Sequence, residues 1–568
     1  MRLLKTILGL WYTLGALSSV LKEGKEGRVL GGRNGDAADA AIGPDADLYI
    51  GNKAISPDGF SRSSVLAGTT IDSLSFPGPI IRATKGDTFH LNVVDQLTDP
   101  SMMMSTSVHW HGFVQKRSNW ADGVSGVTQC PIAPGHSFMY QFGTGDQSGT
   151  FWYHSHFSTQ YCDGLRGAII VYDPEDPYED LYDFDDGNRI SPNIPIDHLE
   201  LISTFILLPT ESTVITLADW YHAVAPITQR EVIPVYNSTL INGLGRYAGG
   251  PASPLSVIKV LPNKRYRFRM VSISCSPNFV FSIDGHQLTI IEVDSINVEP
   301  LVVDKIQIFA GQRYSFILNT NMPVSNYWIR ALPNFGNVGF NGGINSAILR
   351  YLGAPAIDPI TFSSNGTVLK ETDLHPLVNP AAPGIPARGA ADLNLNLDIQ
   401  WNMKTQMFYV NNATFKAPSV PVLLQILSGT QAAQDLLPSG SVYVLPPNKV
   451  IEISMPGGSG GSPHPIHLHG QSFSVVRSAN SSVYNYANPV RRDVVSIGES
   501  TDNVTIRFTT DNAGPWIMHC HIDWHLERGL SVVFADDIPA IQSAKDKPPQ
   551  PWDELCPIYN ALTPQKFP

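Results

Sequence analysis

Apolar and polar residues alternate along many short runs of this chain, which is the pattern of strands with one buried face. The runs are rich in Val, Ile, Phe and Tyr, and Gly, Pro, Asn or Asp residues separate them. Patterns with the helical period are short and few. The sequence therefore predicts an all-β protein built from antiparallel sandwiches or Greek-key barrels. The clearest runs are ADLYIG (46–51), DTFHLNVVDQL (87–97), GAIIVYD (167–173), STVITLADWY (212–221), RYRFRMVSIS (265–274), FVFSIDG (279–285), RYSFILNT (313–320), KVIEISM (449–455), NVTIRFTT (503–510) and LSVVFAD (530–536).

A pair of histidine motifs occurs twice, far apart in the chain. HWHG at 109–112 is followed 45 residues later by HSH at 154–156, and HLHG at 467–470 is followed 52 residues later by HCH at 519–521. The first and last thirds therefore look like two copies of one domain. The middle third has the same strand pattern without the motifs. We predict three consecutive domains, at 41–175, 176–352 and 353–568, with turn-rich segments between them.

The first residues have the features of a targeting segment. MRLLKTILGLWYTLGALSSV combines a basic start with an apolar stretch of about fourteen residues, too short to span a membrane and typical of a signal peptide. We therefore expect a secreted, extracellular protein whose residues 1–40 hold a signal peptide and a pro-segment. Residues 21–39 are either that pro-segment or an artefact of the gene model, because the best cleavage site, ADA at 38–40, lies well beyond the apolar stretch.

A second segment is unusual in its length and its apolar content. GNRISPNIPIDHLELISTFILLPTE at 187–211 stands where a short connection between two strands is expected. Two interpretations are open, a retained intron translated in the gene model and a genuine surface loop. Sequencing the transcript separates them, since reads that span the segment intact would rule out the artefact.

Composition and charge exclude several classes of function. The chain of 568 residues is 43% hydrophobic and only 15% charged, with a net charge of −12 and no long run of Lys and Arg. This argues against nucleic acid or an anionic membrane as a partner. Five sequons agree with secretion, and we expect them to carry glycans. They are Asn237, Asn365, Asn412, Asn480 and Asn503.

The cysteine count leaves one thiol with another role. There are five cysteines, an odd number for an oxidising compartment, so four can form two disulfides. Cys520 is the candidate for the unpaired one, because histidines flank it on both sides. The other four are Cys130, Cys162, Cys275 and Cys556.

Four His-x-His pairs are more than chance placement of 16 histidines in this chain would give. In a strand, residues i and i+2 face the same way, so each pair can direct two imidazoles at one site. Imidazole binds copper, zinc, iron and nickel, so these ligands alone do not name the metal. The eight inward histidines are His109, His111, His154, His156, His467, His469, His519 and His521.

The thiol identifies the metal. Cys520 lies between His519 and His521 and therefore faces the opposite side of the strand, where His525 and the upstream His464 can join it. One Cys and two His form the trigonal set of a blue-copper centre, whose axial position holds a weak ligand or none. Leu530 stands at the expected axial offset and cannot coordinate.

Four segments together resemble the signature sequences of the multicopper oxidases, and most closely those of fungal laccases of the basidiomycete type. They are HWHGFVQKRSNWADG, GTFWYHSHFSTQYCDGLRGAIIVYD, HPIHLHGQSF and GPWIMHCHIDWHLERGL. The resemblance runs from about Ala41 to the C-terminus. It implies three cupredoxin-like β-barrel domains with an active site shared between the first and the third.

The resemblance also implies four copper ions and the ligands of each. A type 1 copper would take His464, Cys520 and His525, with Leu530 at the vacant axial place. A type 2 copper would take His109 and His467. One type 3 copper would take His111, His154 and His521, and the other His156, His469 and His519. The remaining histidines are expected to be surface or structural residues.

Further roles follow from the same resemblance. Asp122 and Asp523 match acidic positions that the family places near the oxygen-binding coppers, where reduction of oxygen consumes protons. For Asp122 a plain Asp-Gly turn is an equally good explanation. The resemblance also implies disulfides Cys130–Cys556 and Cys162–Cys275. It places Ser276 and Phe335 in the substrate pocket, and Ser276 stands where many such laccases have an Asp that accepts the phenol proton.

These features predict a secreted laccase, active in lignin degradation or related chemistry and expected to be a monomer. It would oxidise phenols and aryl amines by one electron each and reduce dioxygen to water. Electrons would enter at His525 and pass through Cys520 to His519 and His521. A ferroxidase is a second hypothesis, although no set of acidic residues for Fe²⁺ is recognisable around Cys520. A third is a copper-binding protein with impaired turnover.

Overall fold

A computed structural model of the chain describes residues 42–186, 189–190, 213–363, 365–461, 463–543, 547–565 and 567. The predicted signal peptide lies outside the described residues, as does nearly all of the unusual segment 187–211. The protein is built from strands, and all ten runs predicted from the alternating pattern lie on strands. The all-β prediction is therefore confirmed.

Two four-stranded sheets form the first domain. The strands show why the sequence folds this way: in Ser137–Gly143 every second side chain is buried, and in Gly149–Ser155 every side chain is. One sheet has the order β2-β1-β4-β6 and the other β3-β8-β7-β5. The strands are β1 (Asp45–Ile55), β2 (Arg62–Gly68), β3 (Ile81–Thr84), β4 (Thr88–Asp95), β5 (Val108–His111), β6 (Ser137–Gly143), β7 (Gly149–Ser155) and β8 (Arg166–Tyr172).

The second domain has a larger sheet of order β13-β12-β11-β15-β20-β17-β18, to which β9 and β10 are attached, and a smaller one of order β14-β22-β21-β16-β19. The strands are β9 (Phe184–Asp185), β10 (Arg189–Ile190), β11 (Val214–Trp220), β12 (Ser238–Ile241), β13 (Leu244–Tyr247), β14 (Val257–Val260), β15 (Arg265–Ser272), β16 (Phe279–Ile283), β17 (Leu288–Val293), β18 (Ile296–Val303), β19 (Ile306–Ile308), β20 (Arg313–Asn319), β21 (Asn326–Pro333) and β22 (Ser346–Tyr351).

The third domain repeats the plan with sheets of order β23-β27-β32-β29-β30 and β26-β34-β33-β28-β31, and β24 pairs with β25. The strands are β23 (Leu393–Asn396), β24 (Ile399–Asn402), β25 (Met407–Val410), β26 (Val442–Leu445), β27 (Val450–Pro456), β28 (Pro465–Leu468), β29 (Phe473–Arg477), β30 (Arg491–Arg492), β31 (Val494–Ser496), β32 (Asn503–Thr509), β33 (Gly514–Cys520) and β34 (Ser531–Asp536).

Helices are short and connect or cap the sheets. Within the described residues, none is long and apolar enough to cross a membrane. The α-helices are α1 (Ala225–Thr228), α2 (Val422–Leu427), α3 (Asp523–Leu526), α4 (Ile538–Gln542) and α5 (Gln550–Asn560).

The domains share their hydrophobic cores. The cluster around Trp110 and Tyr140 of the first domain continues into Leu423, Val533 and Trp552 of the last third of the chain. A second cluster runs without a break from the second domain into the third. Every sheet falls on one side of residues 175 and 352, and on that basis we propose these positions as the domain boundaries. The packing brings the histidine-bearing strands of the first and third domains face to face.

Candidate metal centre

Each His-x-His pair sits at the end of a strand that lies in the middle of a sheet or pairs with one that does. β5 carries both His109 and His111. In each of the other three pairs the first histidine lies on the strand and the second follows its last residue; the strands are β7, β28 and β33. In the register of the sheets His109 lies opposite His154, and His467 lies opposite His519. Two pairs from one sheet therefore meet two pairs from another.

The eight imidazoles form one buried cluster between the first and third domains, here named the eight-histidine cluster. Rings from the two domains stack, with centroids 3.8 Å apart for His111 and His467 and also 3.8 Å apart for His109 and His469. All eight side chains are buried. The convergence that sequence reasoning expected is therefore present.

In six of these imidazoles one ring nitrogen faces outward onto a protein oxygen and donates its proton there. This contact fixes which nitrogen is protonated, as is usual for metal-binding histidines. The contacts are His109 Nδ1 to the Asp122 carbonyl (2.8 Å), His111 Nε2 to the Asp493 carboxylate (3.2 Å), His154 Nδ1 to the Ser155 carbonyl (2.9 Å), His467 Nδ1 to the Asp493 carbonyl (2.8 Å), His469 Nδ1 to the Asp122 carboxylate (2.9 Å) and His519 Nδ1 to the Cys520 carbonyl (2.9 Å).

The opposite nitrogens face inward and fit a metal. Nε2 of His109, His154, His156 and His467 is buried and has no hydrogen-bond partner within the described part of the chain. Such groups are costly unless something binds them. Ligand atoms also fall into sets within 4.8 Å of one another. The sets are His109, His111 and His467; His111, His154 and His521; and His156, His469 and His519.

Burial favours the neutral form of His111, His154, His467 and His519. Loss of solvation, reinforced by the neighbouring imidazoles, holds the pKa of His111, His154 and His467 well below its usual value, and lowers the pKa of His519 to about 4. A neutral imidazole has a free lone pair, which is the form that binds a metal. These four imidazoles can therefore coordinate a metal at neutral pH.

A second site, here named the Cys520 site, lies on the other face of β33. Nδ1 of His464 and Nδ1 of His525 are 3.0 Å apart, and each is 3.6 Å from the Cys520 sulfur. This triangle surrounds a point that suits one trigonal metal ion with a sulfur and two nitrogen ligands. Among the described residues, which include all five cysteines, Cys520 is the one that is free.

The surroundings of the Cys520 site are apolar. Leu530 is buried beside it, and its carbonyl oxygen accepts a hydrogen bond from the Cys520 amide at 3.1 Å. The Phe408 ring lies 4.9 Å from His525 and 5.5 Å from His464. Burial raises the pKa of the Cys520 thiol, so a bound cation is what would make the thiolate the stable form. His525 is half-buried, whereas His464 is buried.

Asp122 contacts the cluster directly. One carboxylate oxygen accepts from His469 Nδ1, and the other lies 3.2 Å from His109 Nδ1. The residue also forms the turn before Gly123, whose φ is +83° and whose Cβ, if present, would lie 1.8 Å from the Val108 carbonyl oxygen. Asp122 therefore forms the Asp-Gly turn and also contacts two histidines of the eight-histidine cluster.

Asp523 lies beside a small cavity next to the cluster. The cavity is lined by His154, His156, His519 and His521 as well as by Asp523 itself. Burial is the main reason that the pKa of Asp523 is raised well above its usual value. Burial thus favours the protonated form of this carboxyl group, and a protonated carboxyl beside the cavity can donate a proton to a ligand there.

Family models described as multicopper oxidase match residues 52–176, 211–354 and 415–539. The chain belongs to the multicopper oxidase family. It is 57% identical to Laccase-2 of Pleurotus ostreatus over 533 residues, which are 93% of this chain and 94% of that protein. It is also 57% identical to a laccase of Trametes hirsuta over 530 residues, which are 92% of this chain and 96% of that protein.

Solved structures agree with this assignment. The laccase of Botrytis aclada superposes with a TM-score of 0.76 at 27% identity, covering 96% of this chain and 98% of that one. Fet3p, described as a multicopper oxidase that functions in iron import, superposes with a TM-score of 0.75 at 26% identity, covering 93% and 96%. The three domains of this multicopper oxidase are thus cupredoxin-like, and the protein is an enzyme that uses copper.

Sequence reasoning missed Asp493 of this multicopper oxidase. The residue follows two arginines in the stretch RRDVVS, and nothing in that local pattern indicates a role. In the fold its carboxylate lies 3.2 Å from His111 Nε2 and 3.6 Å from His467 Nδ1, and it forms an ion pair with Arg313. Only the contact between domains reveals it.

The structure contains both expected disulfides, Cys130–Cys556 and Cys162–Cys275. The second lies near α3, because the Cys275 carbonyl oxygen accepts a hydrogen bond from the Asp523 amide at 2.9 Å. Ser276 is therefore one residue from a contact with the helix that carries His525. Phe335 is half-buried, with its ring 5.5 Å from that of Tyr236.

Proposed function

We propose that this multicopper oxidase is a secreted laccase, which oxidises phenols and aryl amines by one electron and reduces dioxygen to water. The observation that carries the proposal is the position of Cys520. Its sulfur belongs to one metal site, and its two chain neighbours, His519 and His521, belong to another. The identity of 57% to laccases over most of the chain supports the same conclusion.

We propose four copper ions, held by the sets of ligand atoms described above. His464, Cys520 and His525 hold a type 1 copper, and His109 and His467 hold a type 2 copper. His111, His154 and His521 hold one type 3 copper, and His156, His469 and His519 hold the other. Bound copper supplies the one-electron redox chemistry that the protein side chains lack.

The overall reaction balances when four substrate molecules are oxidised for each dioxygen reduced. Each phenol loses one electron and its hydroxyl proton and leaves as a phenoxyl radical. Four electrons and four protons then convert one dioxygen to two waters. The protein must therefore join the two metal sites and deliver protons to the eight-histidine cluster.

The chain provides both a path between the two metal sites and groups that can deliver protons. From the Cys520 sulfur, covalent bonds lead through the backbone to both neighbouring histidines, and the hydrogen bond from His519 Nδ1 to the Cys520 carbonyl offers a parallel path. Asp523 lies beside the cavity, where a carboxyl group can give a proton, and Asp122 holds His109 and His469 in orientation. We assign them these roles in the oxidase.

The substrate would meet the protein at the partly exposed edge of His525. Ser276 and Phe335 are our candidates for the pocket wall, because Ser276 adjoins the Cys275 contact with α3 and Phe335 presents an aromatic ring near the surface. A serine hydroxyl cannot take up a phenol proton as a carboxylate can. We therefore expect phenols to react less readily than substrates that release no proton.

Secretion, glycosylation and a monomeric state complete the proposal. Three of the five sequons have exposed asparagines, at Asn365, Asn412 and Asn480. In contrast, Asn237 is half-buried, and its side-chain oxygen accepts a hydrogen bond from the His222 amide at 2.8 Å. We therefore propose Asn365, Asn412 and Asn480 as the principal glycosylation sites, with Asn237 and Asn503 occupied to a lower degree.

The proposal is tested by oxygen uptake of the purified, copper-loaded protein with a phenol, an aryl amine and Fe²⁺ in parallel. A laccase consumes oxygen rapidly with the phenol and the amine. Rapid uptake with Fe²⁺ alone would instead indicate a ferroxidase. A blue protein that takes up no oxygen with any of the three would be a copper-binding protein without turnover.

A further inference from the structure

A turn of the second domain touches the eight-histidine cluster, although none of the eight histidines comes from that domain. The turn consists of Gly311, Gln312 and Arg313, just before and at the start of β20. Gly311 has φ +85°, and a Cβ built on it would lie 2.7 Å from Cδ2 of His521 and 3.1 Å from Cε1 of His111. The backbone of the second domain thus packs directly on two rings of the cluster.

Arg313 binds Asp493 of the third domain through both arms of its guanidinium. Nη1 and Nη2 donate to the two carboxylate oxygens at 2.6 Å each, and both side chains are buried. A two-pronged contact of this kind fixes the plane of the carboxylate as well as its position. A lysine in place of Arg313 would keep the charge and lose the fixed plane.

The carboxylate that Arg313 holds in turn contacts two histidines. Its Oδ1 lies 3.2 Å from His111 Nε2, and the backbone carbonyl of Asp493 accepts from His467 Nδ1 at 2.8 Å. These contacts leave Nδ1 of His111 directed at His521 Nε2, 3.3 Å away, and leave Nε2 of His467 free inside the cluster. The orientation of both imidazoles thus depends on Asp493.

Arg313 is also bonded directly to the first domain, and it is linked to Arg492 of the third domain through Asp294 of its own domain. Its Nε donates to the Thr150 carbonyl oxygen of β7 at 3.1 Å, and β7 continues into His154. Its backbone amide donates to Asp294, which also accepts from Arg492 Nε at 2.9 Å. A Cβ at Gly112, next to His111, would lie 2.5 Å from Arg313 Nη2. The glycine therefore leaves room for the guanidinium.

We propose that Arg313 is a positioning residue for the oxygen-reducing site: through Asp493 it sets the orientation of His111 and His467 and so makes copper binding in the cluster depend on the second domain. The inference rests on the proposed copper sites and extends them to a domain that contributes no ligand. It predicts a defect confined to the cluster, since the Cys520 site is built from other residues.

The test compares Arg313→Lys with Arg330→Lys in the full-length, copper-loaded protein. Arg330 is a matched control, because it is a buried arginine of the same domain that makes a two-pronged pair with Asp284 at 2.8 Å and 2.8 Å. The Asp284 carboxylate contacts Arg330 and Thr361 and no histidine of the cluster. Any general effect of losing a buried arginine pair should appear in both variants.

We expect Arg313→Lys to hold cluster copper 10- to 100-fold more weakly, in line with the effect of losing a residue that supports a metal ligand. Copper content after dialysis against a chelator should fall, and the electron paramagnetic resonance signal of the non-blue copper should change, while the blue colour remains. Arg330→Lys should keep its full copper content and spectrum. Equal copper retention and unchanged spectra in both variants would overturn the proposal.

If Arg313→Lys does not fold, the double variant Arg313→Met with Asp493→Asn serves instead, because it removes both buried charges together. It should fold, stay blue and lose cluster copper; full copper retention would again overturn the inference.

Copper retention is measured independently of turnover. A wild-type protein with full copper and no oxygen uptake would contradict the laccase proposal alone, and normal copper retention in the Arg313 variants would contradict the positioning role alone.

Discussion

The carbonyl oxygen of Cys520 accepts a hydrogen bond from Nδ1 of the preceding residue, His519, at 2.9 Å. One residue thus contacts both metal sites, the Cys520 site through its sulfur and the eight-histidine cluster through its backbone carbonyl. The contact also fixes the proton on Nδ1 of His519 and leaves Nε2 facing His469, 3.2 Å away. The alternation of a strand separates the two sites, and the backbone between adjacent residues joins them.

Replacing Cys520 by serine should remove one site and spare the other. The Cys520→Ser protein has no thiolate, so we expect it to lose its blue colour, one copper of about four, and essentially all oxidase activity, because the connection to the cluster is broken. The near-ultraviolet band of the cluster should persist. Copper analysis with absorption spectra checks this. Persistent blue colour would place the type 1 site elsewhere.

Asp122→Asn should slow oxygen reduction without affecting substrate oxidation. The amide cannot accept from His469 as a charged carboxylate does, so we expect reoxidation of the reduced enzyme by oxygen to slow about 10- to 100-fold. Stopped-flow reduction by a phenol should proceed at the wild-type rate. Asp95→Asn is the matched control, since Asp95 is a buried acid of the same domain that bonds the Leu97 amide. Equal effects of the two substitutions would contradict a specific role for Asp122.

Ser276→Asp should improve phenol oxidation at mildly acid pH. A carboxylate beside the site can accept the phenol proton, and general-base assistance is commonly worth at least about 100-fold when well placed. We expect kcat/KM for a phenol to rise at least about 10-fold above pH ~4, where an exposed Asp is ionised. A non-phenolic dye serves as the control and should be unaffected. Unchanged phenol kinetics and pH profile would remove Ser276 from the pocket.

The metal-free protein should lose stability as the solution is acidified. Burial lowers the pKa of His464 and of His519 to about 4, so between the unfolded value of about 6.5 and about 4 the unfolded chain binds more protons than the folded one. Stability therefore falls as pH decreases through this window and is unaffected by these groups above it. Thermal unfolding of chelator-treated protein from pH 7.5 to 4 measures this effect. A Tm that stays constant as the pH is lowered from about 6.5 to about 4 would show that the imidazoles are not buried as described.

Much of the architecture could be predicted because it follows from short-range pattern. Each of the ten runs recognised by alternation is a strand, and the two-residue period correctly put Cys520 on the face opposite His519 and His521. The spacing within HWH or HCH already contains the geometry of each pair. No long-range information was needed at these positions.

Contacts between domains could not be predicted in the same way. Asp493 and Arg313 are 180 positions apart in the chain, and neither lies in a motif. Gly311 and Gly112 are needed because side chains of other segments approach them, which no local pattern reveals. Asp122 was undecided from the sequence since an Asp-Gly turn is common, and only the fold shows that His469 of the third domain contacts its carboxylate.

The most direct test of the laccase proposal is the stoichiometry of oxygen consumption. With copper-loaded protein and a phenol in excess, an oxygen electrode and a peroxide assay are run on the same sample. The proposal requires one dioxygen consumed for every four phenoxyl radicals formed, with no accumulation of hydrogen peroxide. One dioxygen for every two radicals, with peroxide as the product, would contradict it.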